Sequence, residues 1–323
     1  MNRPLLLILL TLLVALLFAG SLMAGKVWVP PAVWFSGDPR WWIVAELRLP
    51  RAILGLAIGA ALGLTGAVLQ GYLRNPLADP AVVGVSSSAA LGAVAAIVVF
   101  AASAPLVIFG AAMLAACGSM LLLAGLAWRA DSQVAFILAG TVLASLGGAL
   151  TAFLISIAPN PFATAEIIDW IMGALTDRSF AEVQLALPFI ALGSALLLFT
   201  GRALDALTLG EAAARSLGVR LQRTQMLIVL GAGLAVGASV AVTGVVGFVG
   251  LIVPHLLRPL TGAKPSALLL PSALGGAALV LAADSLVRLG PGASEIRLGV
   301  AMALLGTPFF FLLLLKMRRS AWS

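Results

Sequence analysis

The chain has 323 residues, 62% of them hydrophobic and only 10% charged, with a formal net charge of +7. A soluble domain carries about a quarter charged residues, so this composition excludes an ordinary water-facing surface and makes lipid the solvent. The positive balance could mark a nucleic-acid binder, but the basic residues lie scattered between apolar runs of membrane length, where topology accounts for them better.

About 20 apolar residues cross a bilayer, and by that measure ten spans are predicted: Pro4–Ala24, Arg51–Tyr72, Val83–Ala101, Pro105–Trp128, Val134–Ala158, Val183–Gly201, Thr224–Val246, Val249–Leu260, Ala267–Val287 and Ile296–Leu315. The first follows Arg3 as a secretory leader would, but it exceeds the ~7–15 residues of a leader's apolar core and reads as a retained span. The loop from Lys26 to Glu46 holds Trp28, Trp34, Phe35, Trp41 and Trp42, which suits a membrane-interface belt.

The stretch from Arg48 to Gly92 organises the rest. Arg48 and Arg51 flank Pro50, and Gly55, Gly59 and Gly63 recur every four residues along the second span. Small residues at that spacing let helix backbones approach closely. A polar break follows, Arg74-Asn75-Pro76-Leu77-Ala78-Asp79-Pro80, then a second run rich in glycine and serine. Irregular backbone at a membrane face is tolerated where protein or water covers it, which points to a pathway or a docking surface.

Further along, Thr164–Leu175 reads as an amphipathic helix too short to span, in the loop between Pro159 and Glu182. Residues Arg202–Arg223 form the longest loop on the other side, with a short charged helix expected over Gly210–Leu217, suited to a soluble partner. Gly244, Gly247 and Gly250 predict a tight re-entrant bend before a short eighth span.

Placing the N-terminus in the cytoplasm puts twelve basic residues inside and seven outside, and four acids inside against eight outside. That is the expected positive-inside bias. With an even number of spans, both termini are expected in the cytoplasm.

The candidate chemistry is sparse. The lone cysteine, Cys117, sits in an apolar run and reads as a small buried residue, allowing no disulfide and no cysteine metal site. The only histidine, His255, has no carboxylate or thiol near it in sequence, so a metal role is disfavoured and a structural hydrogen bond is expected. Asp284 would be a proton-relay candidate in a secondary transporter, yet it stands four residues before Arg288, where an i,i+4 ion pair is the plainer account. No span carries an acid, lysine or arginine near its middle. There is no HExxH, no GxSxG with a matching histidine and no phosphate loop, since Gly262-Ala263-Lys264 lacks the spacing. A membrane enzyme is therefore disfavoured, and any ATP must be hydrolysed on another chain.

Seven motifs occur in order: RLPR, AVLQG, RNPLADPAVVGVSSSAALG, LAG at Leu138–Gly140, LGEAAARSLGV, VTGVVGFVGLIVPHLLR and LGTPFFFLLLLK. Together, from about Trp42 to Lys316, they resemble the permease subunits of FecCD-type ABC importers, which move iron–siderophore complexes, haem or cobalamin. The resemblance implies one all-α polytopic domain over 1–323, with about ten spans and the type II importer architecture. It also implies a bacterial inner membrane, a second copy of the chain with the pathway on the two-fold axis, two ATPase subunits below and a periplasmic binding protein above. ATP and magnesium would bind the ATPase, and no cofactor this chain.

By the same resemblance, Arg48, Arg51 and Arg288 would pair with acids on the binding protein, so reversing Arg48 and Arg51 to glutamate should weaken docking. Glu211, Ala213, Arg215 and Gly218 would belong to the helix that couples to the ATPase, with its glycine one residue later than in the general importer pattern. Asn75 and Leu77 would form one cytoplasmic gate, and Ser132 and Gln133 a second. Thr141, Ser145, Gly148, Met302 and Thr307, on the fifth and tenth spans, would line the pathway. A large metal chelate is the implied cargo, with an iron–siderophore complex or haem ahead of cobalamin; an ion-coupled secondary transporter is the reading from another class.

Overall fold

Backbone groups in hydrocarbon must be paired within their own segment, and a chain this apolar answers with helices. The computed structural model describes residues 3–102, 104–128, 133–262, 264–290 and 295–320. Among them there are helices and turns and no strand. In order the helices are α1 (Arg3–Met23), α2 (Leu49–Tyr72), α3 (Val85–Phe100), α4 (Pro105–Trp128), α5 (Gln133–Ser156), α6 (Pro161–Ile171), α7 (Phe180–Leu198), α8 (Gly201–Leu207), α9 (Glu211–Ser216), α10 (Leu221–Thr243), α11 (Val249–Thr261), α12 (Pro265–Leu289) and α13 (Leu298–Ser320). A π-helical turn, Ile43–Arg48, leads directly into α2.

Among the described residues seven helices are long and apolar enough to cross a membrane: α1, α2 with its leading turn, α4, α5, α7, α10 and α12. The expected third, eighth and tenth spans fall on shorter apolar helices, Val85–Phe100, Val249–Thr261 and Leu298–Leu313. Local backbone explains two of these lengths. α3 starts and stops at left-handed residues, Gly84 (φ 81°) and Ala101 (φ 48°). α11 is likewise bounded by Phe248 (φ 66°) and Gly262 (φ 72°). The glycine-rich bend is as expected, since residues 244–247 are non-helical between α10 and α11.

Helix starts carry recognisable caps. Asn160 accepts from Ala163 N at 2.9 Å ahead of Pro161. Ser179 and Glu182 form a reciprocal capping box on α7. The N-terminus of α12 is capped from another helix: Asp205 of α8 accepts from Ser266 N at 2.8 Å and Ser266 Oγ at 2.6 Å.

The centre of the molecule is built on α2 and α10, whose apolar windows are 83% and 78% buried. The glycine stripe on α2 serves packing. A β-carbon at Gly59 would run into the Gly276 carbonyl of α12, and one at Gly63 into that of Ser272. Gly66 abuts the backbone of Gly250 on α11 in the same way. One buried apolar cluster draws on α2 to α5 and α7 to α13, while Val14 of α1 sits with Ala52, Ala277, Ala278 and Leu281 in a second. Much of α1 and of α5 turns leucines, valines and an isoleucine outward.

Candidate functional site

At the ends of α2 and α12 that the charge bias places outside, three arginines and two acids meet. Arg51 donates from Nε to both oxygens of Asp284, at 3.0 and 3.1 Å, and from Nη2 to Oδ1 at 2.8 Å. The same Nη2 also reaches Glu295 at 2.8 Å. Asp284 pairs with Arg288 at 3.0 Å, the i,i+4 contact expected from sequence. Arg288 also donates to the carbonyls of Ser21 and Ala24 and to the Ser21 hydroxyl. Arg48 donates to the carbonyls of Leu22 and Met23 at 3.0 Å and to that of Val27. The last carbonyls of a helix have no partner within it, and a cation also suits that end of the helix dipole. Arg48 and Arg288 therefore fasten the end of α1.

Arg48, Arg51 and Arg288 are only 6%, 8% and 3% exposed. They are not the free rim charges that their sequence positions suggest, because the end of α1 and the Asp284 carboxylate supply acceptors. All three line a concavity of about 250 Å³, together with Thr176, Arg178 and Glu295. Burial alone would raise the Glu295 carboxyl, but hydrogen bonds from Arg51 and Thr176 and the charges of Arg51 and Arg288 hold it below its ordinary value. Burial pushes the Arg178 guanidinium down, against the pull of Glu182 and Asp177.

Along the membrane-spanning part, Thr141, Ser145 and Gly148 of α5 are exposed at i, i+4 and i+7, so they share one open face with each other. Thr307 of α13 is exposed as well. Met302 is not: it is fully buried, and its assignment to the pathway wall is corrected. That face of α13 packs inward, where Gly299 N donates to Gly173 O at 3.1 Å and Gly306 abuts the Phe248 ring.

The polar break after α2 is a built turn. Asn75 Oδ1 accepts from Leu77 N at 3.0 Å, and Asn75 N donates to Gln70 O at 3.2 Å, so its side chain shapes the turn. Leu77 and Asp79 line a concavity of about 230 Å³ with Phe248, Leu251 and Phe310. Gln70 donates to Gly250 O at 3.1 Å and accepts from Arg258 at 2.6 Å, tying α2 to α11. His255 sets its ring edge-on to Phe309, centroids 5.9 Å apart. Of the second gate, Gln133 opens α5 and Ser132 lies outside the described residues.

The loop between α7 and α10 holds two helices where one was expected. α8 is anchored by the buried Leu204 and Leu207. α9 buries Ala214, leaves Glu211 and Ala213 half-buried, and exposes Arg215, with the exposed Gly218 following at φ 83°. Leu209 and Leu217 flank it at 68% and 65% exposure. Apolar side chains on a charged surface helix suit a protein groove.

The family model described as the FecCD transport family matches residues 11–316. The chain belongs to that family. It is 40% identical over 273 residues to the cobalamin import permease BtuC of Halobacterium salinarum, covering 84% of this chain and 73% of the relative. It is 35% identical over 285 residues to the ferric dicitrate permease FecD of Escherichia coli K12, covering 88% and 89%. An ABC transporter permease of Bacillus subtilis, YvrB, is 37% identical over 295 residues, covering 89% and 83%. A solved chain, an ABC transporter described as of metal-chelate type in an inward-facing conformation, superposes with a TM-score of 0.86 at 32% identity, covering 98% of this chain and all of that one.

As a FecCD member the chain is an ABC importer permease embedded in a membrane, not an enzyme, and ATP is hydrolysed on a separate ATPase. The ion-coupled reading gives way to this finding, and Asp284 is occupied by two arginines. Among the described residues no cluster of histidine, cysteine and acids could hold a metal ion. Sequence reading placed Arg48, Arg51 and Arg288 near one another but missed Glu295 and Arg178. The signal was depth: Arg51 opens the second span and Asp284 closes the ninth, so both had to lie at the same level.

Proposed function

We propose that this chain forms, with a second copy of itself, the transmembrane pathway of an ATP-driven importer for a large metal chelate, an iron–siderophore complex or haem. Whole-length likeness to an inward-facing metal-chelate transporter, at a TM-score of 0.86, carries the reading. The assembly lies in a bacterial cytoplasmic membrane with both termini inside. Two ATPases, which hold the ATP and magnesium, receive α9 through Leu209, Arg215 and Leu217. ATP binding and hydrolysis there move α8 and α9 and switch the pathway between inward- and outward-open states. A soluble binding protein docks on the outer face around Arg48, Arg51 and Arg288. The turn at Asn75 and Leu77 closes the inner end, together with the second gate pair Ser132 and Gln133.

Cargo passes the open face of α5 at Thr141, Ser145 and Gly148 and the exposed Thr307 of α13. These groups are small and weakly polar, suited to releasing a large ligand, so affinity resides in the binding protein. Cobalamin is the second reading, supported equally, because the relative named as a cobalamin import permease is 40% identical and the ferric dicitrate relative 35%. The test is ATP-dependent uptake into proteoliposomes holding the permease with its co-purified ATPase and binding protein. Uptake of a ferric siderophore or haem, uncompeted by cobalamin, supports the first reading; cobalamin uptake alone supports the second. Uptake driven by a proton gradient without ATP would overturn both.

A further inference from the structure

On the side that the charge bias places inside, α9 and the start of α10 border a concavity of about 570 Å³. That volume lies within the range of about 300–1,000 Å³ usual for small-molecule sites. Three arginines line it: Arg215 on α9, Arg220 at the head of α10 and Arg223 in the first turn of α10. All three are exposed, and among the described lining residues there is no acid. Apart from Gln222, the rest of the wall is apolar, made by the half-buried Val219, Leu221 and Met226.

The charge here has no internal counterweight. α7 begins with Ser179 and Glu182, and α12 is capped by Asp205. α10 has nothing of the kind: Arg220 makes no side-chain cap hydrogen bond, and no acid stands in the first turn. The arginines therefore oppose the positive end of the helix dipole, and an anion among them would offset both. The apolar wall says what kind of anion. α10 is long and apolar enough to cross a membrane, so its first two turns, Leu221 to Met226, lie where lipid headgroups meet acyl chains. A free anion would use the arginines and leave Val219, Leu221 and Met226 without a counterpart, whereas a phospholipid uses both. Leu209 and Leu217, the exposed apolar contacts offered to the ATPase, are not among the described lining residues. Cytoplasmic leaflets are anionic, and basic pockets beside membrane helices on that side take acidic headgroups.

We propose that this concavity is the headgroup site of an anionic phospholipid of the inner leaflet. Arg220 and Arg223 hold the phosphate, with Arg215 closing the site from α9. The glycerol and the first acyl carbons lie along Val219, Leu221 and Met226. The lipid bridges α9 and α10 across residues 217–220, where Gly218 takes φ 83°, and so steadies the short helix at the membrane surface. The site depends on the chain's place in a membrane and not on which cargo it carries.

The full chain with its co-purified ATPase is delipidated in mild detergent and titrated with fluorescent phosphatidylglycerol, then with phosphatidylcholine of the same acyl chains. Phosphatidylglycerol should bind about tenfold or more tightly than phosphatidylcholine, and less so at high salt. Arg220→Gln and Arg223→Gln together should weaken phosphatidylglycerol about tenfold or more. Arg220→Lys and Arg223→Lys together should stay within about threefold of the wild type, because a point charge still meets a phosphate. Arg202→Gln, which removes an exposed arginine from α8 in the same loop, should leave Kd within about twofold. Equal binding of the two lipids, an unchanged Kd in the glutamine pair, or an equal loss in Arg202→Gln would each overturn the site. A lysine pair as weak as the glutamine pair would point to a damaged fold and overturn it too. Displacement of the lipid by millimolar inorganic phosphate would reassign the arginines to a free anion. Binding that appeared only after the ATPase was stripped away would give this face to the ATPase, and either result overturns the lipid.

Discussion

At the scale of single residues, the outer charge cluster decides how much can be changed. Asp284 neutralises two buried arginines at once, and removing one partner of a buried pair leaves an uncompensated charge that costs about 3–5 kcal/mol. Asp284→Asn should therefore lower the thermal midpoint of the purified protein in nanodiscs sharply. A proton carrier at this position would instead lose ion-coupled uptake at unchanged stability. Glu295 allows a prediction with a definite sign in pH. Its folded value lies below the ordinary one, so its stabilising contribution is complete above the ordinary carboxyl range of about 4.3. That contribution fades as pH falls through the lowered value. Between pH 6 and pH 3 the wild type should lose more thermal stability than Glu295→Gln, the difference being the part that Glu295 carries. Equal losses would mean that the Arg51–Glu295 contact contributes nothing to stability.

At the scale of elements, the seam between α2 and α12 brings two backbones into direct contact. Without side chains at Gly59, Gly63 and Gly276 the two backbones touch, and close approach by small residues is what associates helices where lipid offers no hydrophobic drive. Gly63→Leu should force the helices apart and reduce the folded, monodisperse yield several-fold on size exclusion in mild detergent. Gly148→Leu, on an open face with nothing within 4 Å of a β-carbon, should leave the yield unchanged. This seam was legible in the sequence because a period of four needs only the helix geometry to become a face. The lengths of α3 and α11 were not, because hydropathy cannot show that Ala101 and Phe248 take left-handed backbone. Met302 was misplaced for a related reason: an apolar residue on a pathway helix belongs to whichever face the neighbouring loop covers, and the contact between Gly173 and Gly299 lies far apart in sequence. The second helix in the loop between α7 and α10, α8, went unseen because its buried Leu204 and Leu207 make sense only against tertiary neighbours on α2, α9 and α12.

At the scale of the whole molecule, several helices leave large apolar surfaces open, and α1 and α5 do so differently. α1 exposes Leu5, Ile8, Leu9, Leu12, Leu13 and Leu16, a mostly bulky surface, with Thr11, Ala15 and Ala19 between them, that suits lipid. α5 exposes Val134, Leu138, Val142, Leu146 and Leu150 at steps of four, and beside this stripe run the small and weakly polar Thr141, Ser145 and Gly148. Small and hydroxyl-bearing residues next to a regular apolar stripe suit helix packing and a wetted passage rather than acyl chains. The proposed two-copy assembly predicts that α5 lies near its own copy across the pathway and that α1 lies at the lipid edge. In a Cys117→Ala background, Val142→Cys should form a disulfide or short-reagent cross-link between two copies in native membranes, while Leu12→Cys should not. Cross-linking at both positions would indicate random collision in the bilayer. Cross-linking at Leu12 alone would turn the assembly around and place α5 in lipid, leaving Thr141 and Ser145 without water and the pathway without this wall. Cross-linking at Val142 alone that also responds to ATP would tie the α5 wall to the cycle of the ATPase.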